Sequence, residues 1–279
     1  MNDSMQAGRL RTIRYTAIYF LAFIVSVAVG TAIPLFVPPS KMLLCREGID
    51  FLPAVVLFGV MLVETFRRRT YGVIPLAATL FVGLAAPLFH MVNPKGCGKY
   101  LLVSCISPVV GILFLTTTLI WNSVSQVIYL LVNIVLMLFI VADYRRMGIP
   151  QKRPLVMLCL VSLLFPLCAA ILLFVLKGDN SRCKRYLLPM AVVAALTFAI
   201  NIVILLFPYG MIVANLVMVK SGLYFLLCAT IGILLLCDRQ VRTVPLRGWL
   251  YVATFFIPHL AIPATQICLD SDHLQDEAV

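Results

Sequence analysis

The sequence predicts an all-α, polytopic integral membrane protein of about nine transmembrane helices. Three observations carry that prediction: of 279 residues 62% are hydrophobic, only 12% are charged, and the mean hydropathy is +1.06. Soluble domains hold about 45–50% apolar and about 25% charged residues. Apolar runs near 20 residues match the helix length that crosses a hydrocarbon core of about 30 Å. The chain divides into a cytoplasmic N-terminal tail over 1–14, a transmembrane domain over 15–268 and an acidic C-terminal tail over 269–279. Neither tail is long enough for an extramembrane catalytic module.

The runs are 15–37, 50–66, 71–92, 101–121, 126–142, 155–176, 187–207, 214–237 and 248–267. Charged punctuation such as Arg67-Arg68-Arg69, Asp143-Tyr144-Arg145-Arg146 and Asp238-Arg239 separates most of them. The first run follows Arg9, Arg11 and Arg14 like the core of a signal peptide. Its length and the many similar spans after it make it a retained first helix.

A net charge of +11 would suggest nucleic acid in a soluble protein. Here the basic residues cluster in short loops, where they act as topology signals, and no nucleic-acid partner is expected. With nine spans and the N-terminus inside, thirteen Lys and Arg fall on the inner side and eight on the outer, the basic loop over 143–154 dissenting. This favours a cytoplasmic N-terminus in a plasma or bacterial inner membrane.

Six of the nine cysteines (Cys105, Cys159, Cys168, Cys228, Cys237 and Cys268) lie in or beside apolar runs, where Cys behaves as a small hydrophobe. Cys45 and Cys97 fall in loops on the same external side and could pair as a disulfide. No cysteine or histidine spacing resembles a metal or redox motif, so no metal and no cofactor are expected. Walker-type glycine loops, His-Glu-x-x-His and Gly-x-Ser-x-Gly are all missing, which argues against an enzyme.

Function is sought in the polar residues within the apolar runs, because buried polarity in lipid is costly. The richest stretch includes Ser104, Ser107, Pro108, Asn122, Ser125, Gln126 and Asn133. Pro108 lacks an N–H and is expected to bend or break its helix, freeing a carbonyl near Ser104. Such breaks hold substrates in transporters; the alternative is a plain proline kink back-bonded by Ser and Thr. A second irregular region, Pro258-His259 to Pro263, brings a titratable ring into the last run. The candidate substrate-binding set is therefore Ser104, Ser107, Pro108, Asn122, Ser125, Gln126, Asn133 and His259. Glu64 is expected to pair locally with Arg67 and Arg68, and Lys220 to snorkel.

Read in order, these segments resemble the bile acid:sodium symporter superfamily, which includes arsenite-efflux-type carriers. The resemblance rests on the Gly30-Thr-Ala-Ile-Pro34 ending of the first run, Leu52-Pro53 through Met61, Pro75 and Pro87, Ser107-Pro108, and Asp238-Arg239-Gln-Val-Arg242. It implies two inverted repeats, about 15–142 and 155–268, with a shortened C-terminal end. Val109 and Val110 stand where the family carries its glycine pair, and Arg247, Tyr251 and Val252 near its sodium ligands, so sodium coupling is not implied. The expected function is secondary transport of a small organic or inorganic anion by alternating access. The partners expected are the lipid bilayer, a small-molecule or ion substrate and a second copy of the chain. From another class, Arg68-Arg69-Thr-Tyr-Gly-Val-Ile-Pro75 is similar to a motif of Bax-inhibitor-like regulators or ion leaks. A non-transporting carrier-fold scaffold completes the alternatives.

Overall fold

The computed structural model describes residues 2–38, 45, 48–68, 70–113, 119–150, 152–176, 183–206, 211–244 and 247–270. Every regular element among the described residues is helical. Helices α1 (Asn2–Phe36), α2 (Leu52–Arg68), α5 (Cys97–Leu113), α6 (Leu119–Arg146), α9 (Leu188–Leu206) and α10 (Met211–Cys237) fall on six of the nine predicted runs. Five helical segments are long and apolar enough to cross a bilayer, and only 22–33% of their most apolar windows is buried inside the protein. The rest faces outward, as with Phe36, Phe66, Met218 and Phe225, which are each at least 73% exposed. Apolar surface on that scale needs lipid. The chain is a multi-pass α-helical membrane protein.

The other three runs differ from expectation. Each is divided into two short helices: α3 (Val73–Val82) and α4 (Ala85–Val92), α7 (Lys152–Ser162) and α8 (Pro166–Leu176), α11 (Gly248–Phe256) and α12 (Pro258–Asp270). The breaks have local causes. Gly83 ends α3 with φ 55° and returns its N–H to the Thr79 carbonyl, a backbone state that favours glycine. Pro166 and Pro258 open the second arms of the other two pairs, and the residue before a proline is pushed out of the helical region. Ile257 accordingly sits at φ −133° and ψ 58°.

Each pair folds back as a hairpin. The Tyr71 ring, before α3, lies 5.1 Å from the His90 ring near the end of α4. Phe174, late in α8, meets Tyr100, whose hydroxyl bonds Asp143 near the end of α6, the helix that leads into α7. Cys268, late in α12, comes within electrostatic reach of Arg9 at the start of α1. Trp249 in α11 meets Phe20, and Phe256 meets Phe20 and Phe23, so α11 runs parallel to α1.

The hairpins reveal a threefold recurrence where a twofold division was expected. Two long helices and one hairpin make a unit, and the units span 2–92, 97–176 and 183–270. In each unit the long helices pack side by side: α1 on α2, α5 on α6, α9 on α10. The first hairpin arm wedges against the first long helix of the next unit: α3 on α5, α7 on α9, and α11 back on α1, closing a ring. The second arms α4, α8 and α12 pack on one another in the centre. Fully buried Ala86, Ala169, Ala170, Ala261 and Ala264 line this central bundle, and small side chains let helices in lipid approach closely.

The same three-residue clasp closes every unit. Arg14 and Tyr15 of α1 reach Glu64 of α2, the arginine at 2.9 Å. Lys99 and Tyr100 of α5 reach Asp143 of α6, each at 2.8 Å. Arg185 and Tyr186, on a π-helical turn (Cys183–Leu187) before α9, reach Asp238 at 3.4 Å and 2.6 Å. A basic residue followed by tyrosine thus holds the carboxylate at the end of its partner helix three times over. Glu64 thus bonds across to α1, whereas local pairing with Arg67 and Arg68 was expected; the Arg68 side chain lies outside the described residues. The tyrosine hydroxyls are buried, so their charge-assisted bonds are worth more than exposed ion pairs.

Tyr100→Phe and Tyr186→Phe are each expected to lower unfolding free energy by about 1.5–3 kcal/mol, read by denaturation in detergent. Gln266 of α12 is fully buried, with neither amide atom partnered among the described residues. Gln266→Leu should therefore raise stability, by about 1–3 kcal/mol.

Candidate functional site

The three chain reversals border one cavity of about 650 Å³. Gly83 with Leu80–Val82 comes from the first hairpin, Leu164–Cys168 from the second, and His259 with Leu260 from the third. The middles of α5 and α6 supply Ser104, Ser107, Pro108, Tyr129, Val132, Asn133 and Leu136, and α1 supplies Tyr19. Asp50, Phe51 and Ala54, at the start of α2, also line it, and Asp50 is exposed. The stems of the hairpins and all three clasps lie at the opposite ends of their helices. A groove of about 610 Å³ between α1 and α2 lies away from the reversals, is lined by Arg14 and Glu64 of the first clasp, and gathers none of the cavity residues.

Five of the predicted residues meet here: Ser104, Ser107, Pro108, Asn133 and His259. The side chains of Asn122, Ser125 and Gln126 lie outside the described residues. The helix does not break at Pro108, contrary to expectation: α5 runs from Cys97 to Leu113 with Pro108 inside it. One proline removes a single backbone bond, and the packed neighbours α3 and α6 keep the helix straight enough to continue. Its local effect remains, because the Ser104 carbonyl has lost its donor four residues on.

Polar groups on the walls fall into two kinds. Some are committed to the scaffold. Tyr129 donates to the Leu164 carbonyl at 3.0 Å, and the Asn133 amide nitrogen donates to the Leu163 carbonyl at 2.9 Å. These two bonds satisfy carbonyls that the break between α7 and α8 leaves open. His259 stacks on Phe165 at 4.7 Å with the rings 8° apart, and its Nδ1 lies 3.4 Å from the Tyr224 hydroxyl. That hydroxyl gives its one proton to the Phe256 carbonyl at 3.1 Å. The His259 Nδ1 is therefore the donor to Tyr224, which leaves Nε2 as an acceptor.

Others are uncommitted. Ser104 Oγ and Asn133 Oδ1 are buried and have no partner among the described residues. Thr16, Thr79, Thr254 and Thr265 each return their hydroxyl to the carbonyl four residues back; Ser104 does not. The orientation of the Asn133 amide is fixed, because its nitrogen must face the Leu163 carbonyl. Buried polar atoms without partners are rare enough to need an explanation.

Other expectations resolve elsewhere. Cys45 and Cys97 are free thiols rather than a disulfide; Cys97 is buried, and its Sγ lies 3.5 Å from the Pro94 carbonyl and 3.8 Å from His90 Nδ1. Lys220 bonds Asn201 across α9 and α10 at 3.0 Å, which replaces the expected snorkelling. Among the described residues no group of three metal-ligating side chains occurs. Phe165 and Asp50 were missed as cavity residues because nothing local in the sequence distinguishes them, and Gly83 because a lone glycine in a long apolar run did not stand out from it.

Compared with protein-family models, curated proteins and solved structures, the chain matches none.

Gly83 is the reversal most sensitive to substitution. A Cβ there would stand 2.8 Å from the Tyr19 ring, on a backbone with φ +55°. Gly83→Ala is expected to lower stability by about 1–3 kcal/mol, with a matching fall in yield of folded protein on size-exclusion chromatography.

Proposed function

We propose that the chain is a multi-pass carrier that binds a small solute in the cavity at the three hairpin tips. Six helices cross the bilayer, and the three hairpins enter and leave from the face that holds the N-terminus. The convergence of three chain reversals on one cavity with uncommitted polar atoms carries this reading. Non-helical backbone at membrane depth is tolerated where it is buried in protein or lines a cavity, and transporters form their sites from such interrupted helices.

The distribution of charge supports the six-span arrangement. Of the 22 Lys and Arg, all except Lys41, Arg46 and Lys220 then lie on the N-terminal face. Nine alternating spans leave the loop over 143–154 on the wrong side; six spans with three hairpins bring it into line with the others. The positive-inside rule puts that face in the cytoplasm. The cavity then opens on the other side, toward Asp50, while the packed bundle of α4, α8 and α12 closes the cytoplasmic side. Transport requires the tips to part, which is an alternating-access motion rather than an open pore.

Topology and transport are separable in experiment. Short epitopes inserted at Lys95, Gly148 and Arg239 should all be reached from the cytoplasmic face, and one after Val37 from the outside. Lys95 and Gly148 both reached from the outside, with Arg239 still on the cytoplasmic face, would refute the hairpins. Proteoliposomes should accumulate solute saturably, with uptake reduced at least tenfold in a Ser104→Ala, Asn133→Leu double variant. Uptake that is the same in empty and loaded vesicles across neutral, cationic and anionic solutes would refute the carrier.

A further inference from the structure

We infer that the cavity takes an uncharged, mainly apolar small molecule bearing a hydrogen-bond donor, an alcohol or amide, which donates to Asn133 and Ser104. The inference rests on the cavity being the solute site of the carrier proposed above, and it narrows the solute class.

Two side-chain oxygens in the walls lack a partner among the described residues, and a backbone carbonyl beside them has lost its helical donor. Asn133 Oδ1 has no partner among the described residues, and the nitrogen bond to Leu163 prevents the amide from turning to offer N–H instead. Ser104 Oγ is likewise unpartnered. The Ser104 backbone carbonyl lacks its helical donor because residue 108 is proline. Asn133 and Ser104 are 1% and 8% exposed, so a donor, whether from water or ligand, reaches them only by pressing between the wall side chains. Desolvated acceptors of this kind discriminate strongly against ligands that lack the matching donor.

Charge on the ligand is disfavoured on both signs. No Lys or Arg lines the cavity among the described residues, and its one carboxylate, Asp50, is exposed at the rim. An anion therefore meets a carboxylate on entry and, beyond the serine hydroxyls, acceptors at the end, with no Lys or Arg to offset desolvation. A cation passes Asp50 but reaches an inner wall without a counter-charge, and an unpaired charge in such surroundings is heavily penalised. Leu80, Val132, Leu136, Phe165 and Leu260 make the remaining wall apolar. A neutral ring or chain with one donor satisfies the acceptors and leaves its apolar body against these residues. Ligand pockets of this size are commonly built that way, apolar with a few placed polar groups.

Benzamide, benzoate and benzylammonium share a ring and differ in charge, which makes them suitable probes of the full-length protein in detergent. Affinity is read from the rise of melting temperature with probe concentration. Benzamide is expected to bind at least tenfold more tightly than either charged probe, and at least tenfold more weakly to Asn133→Leu. Should Asn133→Leu fail to fold, Ser104→Ala removes a hydroxyl alone and should weaken benzamide at least threefold. Equal or tighter binding of either charged probe, no binding of benzamide, or unchanged affinity in the folded variants would overturn the inference. Uptake in proteoliposomes keeps the two claims apart. Benzamide binding without accumulation of any solute would count against the carrier and leave the ligand class intact. Saturable uptake of an anion that benzamide does not compete with would do the reverse.

Discussion

In hydrocarbon a backbone amide or carbonyl without a partner is expensive, and a chain that reverses partway through a bilayer leaves several such groups open. This protein makes three reversals and shelters each of them with its neighbours. Tyr129 and Asn133 of α6 bond the carbonyls of Leu164 and Leu163. Tyr224 of α10 bonds the Phe256 carbonyl. Gly83 closes its turn on Thr79 within its own segment, with Tyr19 of α1 packed against it. The outer helices are therefore more than a wall against lipid, because their polar side chains are what allow the hairpins to exist. The ring closure of α11 on α1 follows, since the third hairpin needs a wall and the first unit provides it.

The clasps solve a second problem, that of holding two long apolar helices in one register. Dispersion between smooth apolar surfaces gives little preference for one sliding position over another. A carboxylate at the end of one helix, bonded by a buried tyrosine and a neighbouring cation on the other, fixes that position. Tyr71 extends the first clasp by donating to Tyr15 at 3.0 Å, and this ties the stem of the first hairpin to the same point. The charged partners are partly exposed, with Arg14 and Arg185 side chains 58% and 47% accessible, so the tyrosines carry most of the specificity.

Much of this was legible in the sequence, and the rest was hidden for identifiable reasons. Hydropathy and length located α1, α2, α5, α6, α9 and α10. The same criteria read 71–92, 155–176 and 248–267 as single helices, because two adjacent arms of 8 to 13 residues contain the same apolar material as one helix of about twenty. Gly83, Pro166 and Pro258 near the middle of those runs were the available signals; Pro258 marked a second irregular region after that at Pro108, while Gly83 and Pro166 stood out less than the polar residues around Pro108. A proline within a helix shielded on both sides only removes a bond; reversal needs a residue that ends the helix and neighbours that receive the freed groups. The recurrence was also in plain view as Arg14-Tyr15, Lys99-Tyr100 and Arg185-Tyr186, each followed roughly fifty residues later by an acid shortly before an arginine (Glu64, Asp143 and Asp238). Local pattern reading passed over it because the two halves of each clasp are far apart in the chain. Ser104, Ser107, Asn133 and His259 were found by a principle that needs no alignment, namely that polarity inside a greasy run has to be explained.

A unit with two crossings and a returning hairpin delivers the chain to the face from which it started. Successive copies joined by short connectors therefore all stand the same way up, and the molecule is polar along the membrane normal. One side holds a basin and the other a stopper of alanine-rich stems. On the carrier reading proposed above, a solute arriving from the basin side meets its binding groups directly, whereas one from the stopper side waits for a fluctuation. On that reading the two directions of travel are kinetically unlike even before any gradient is applied.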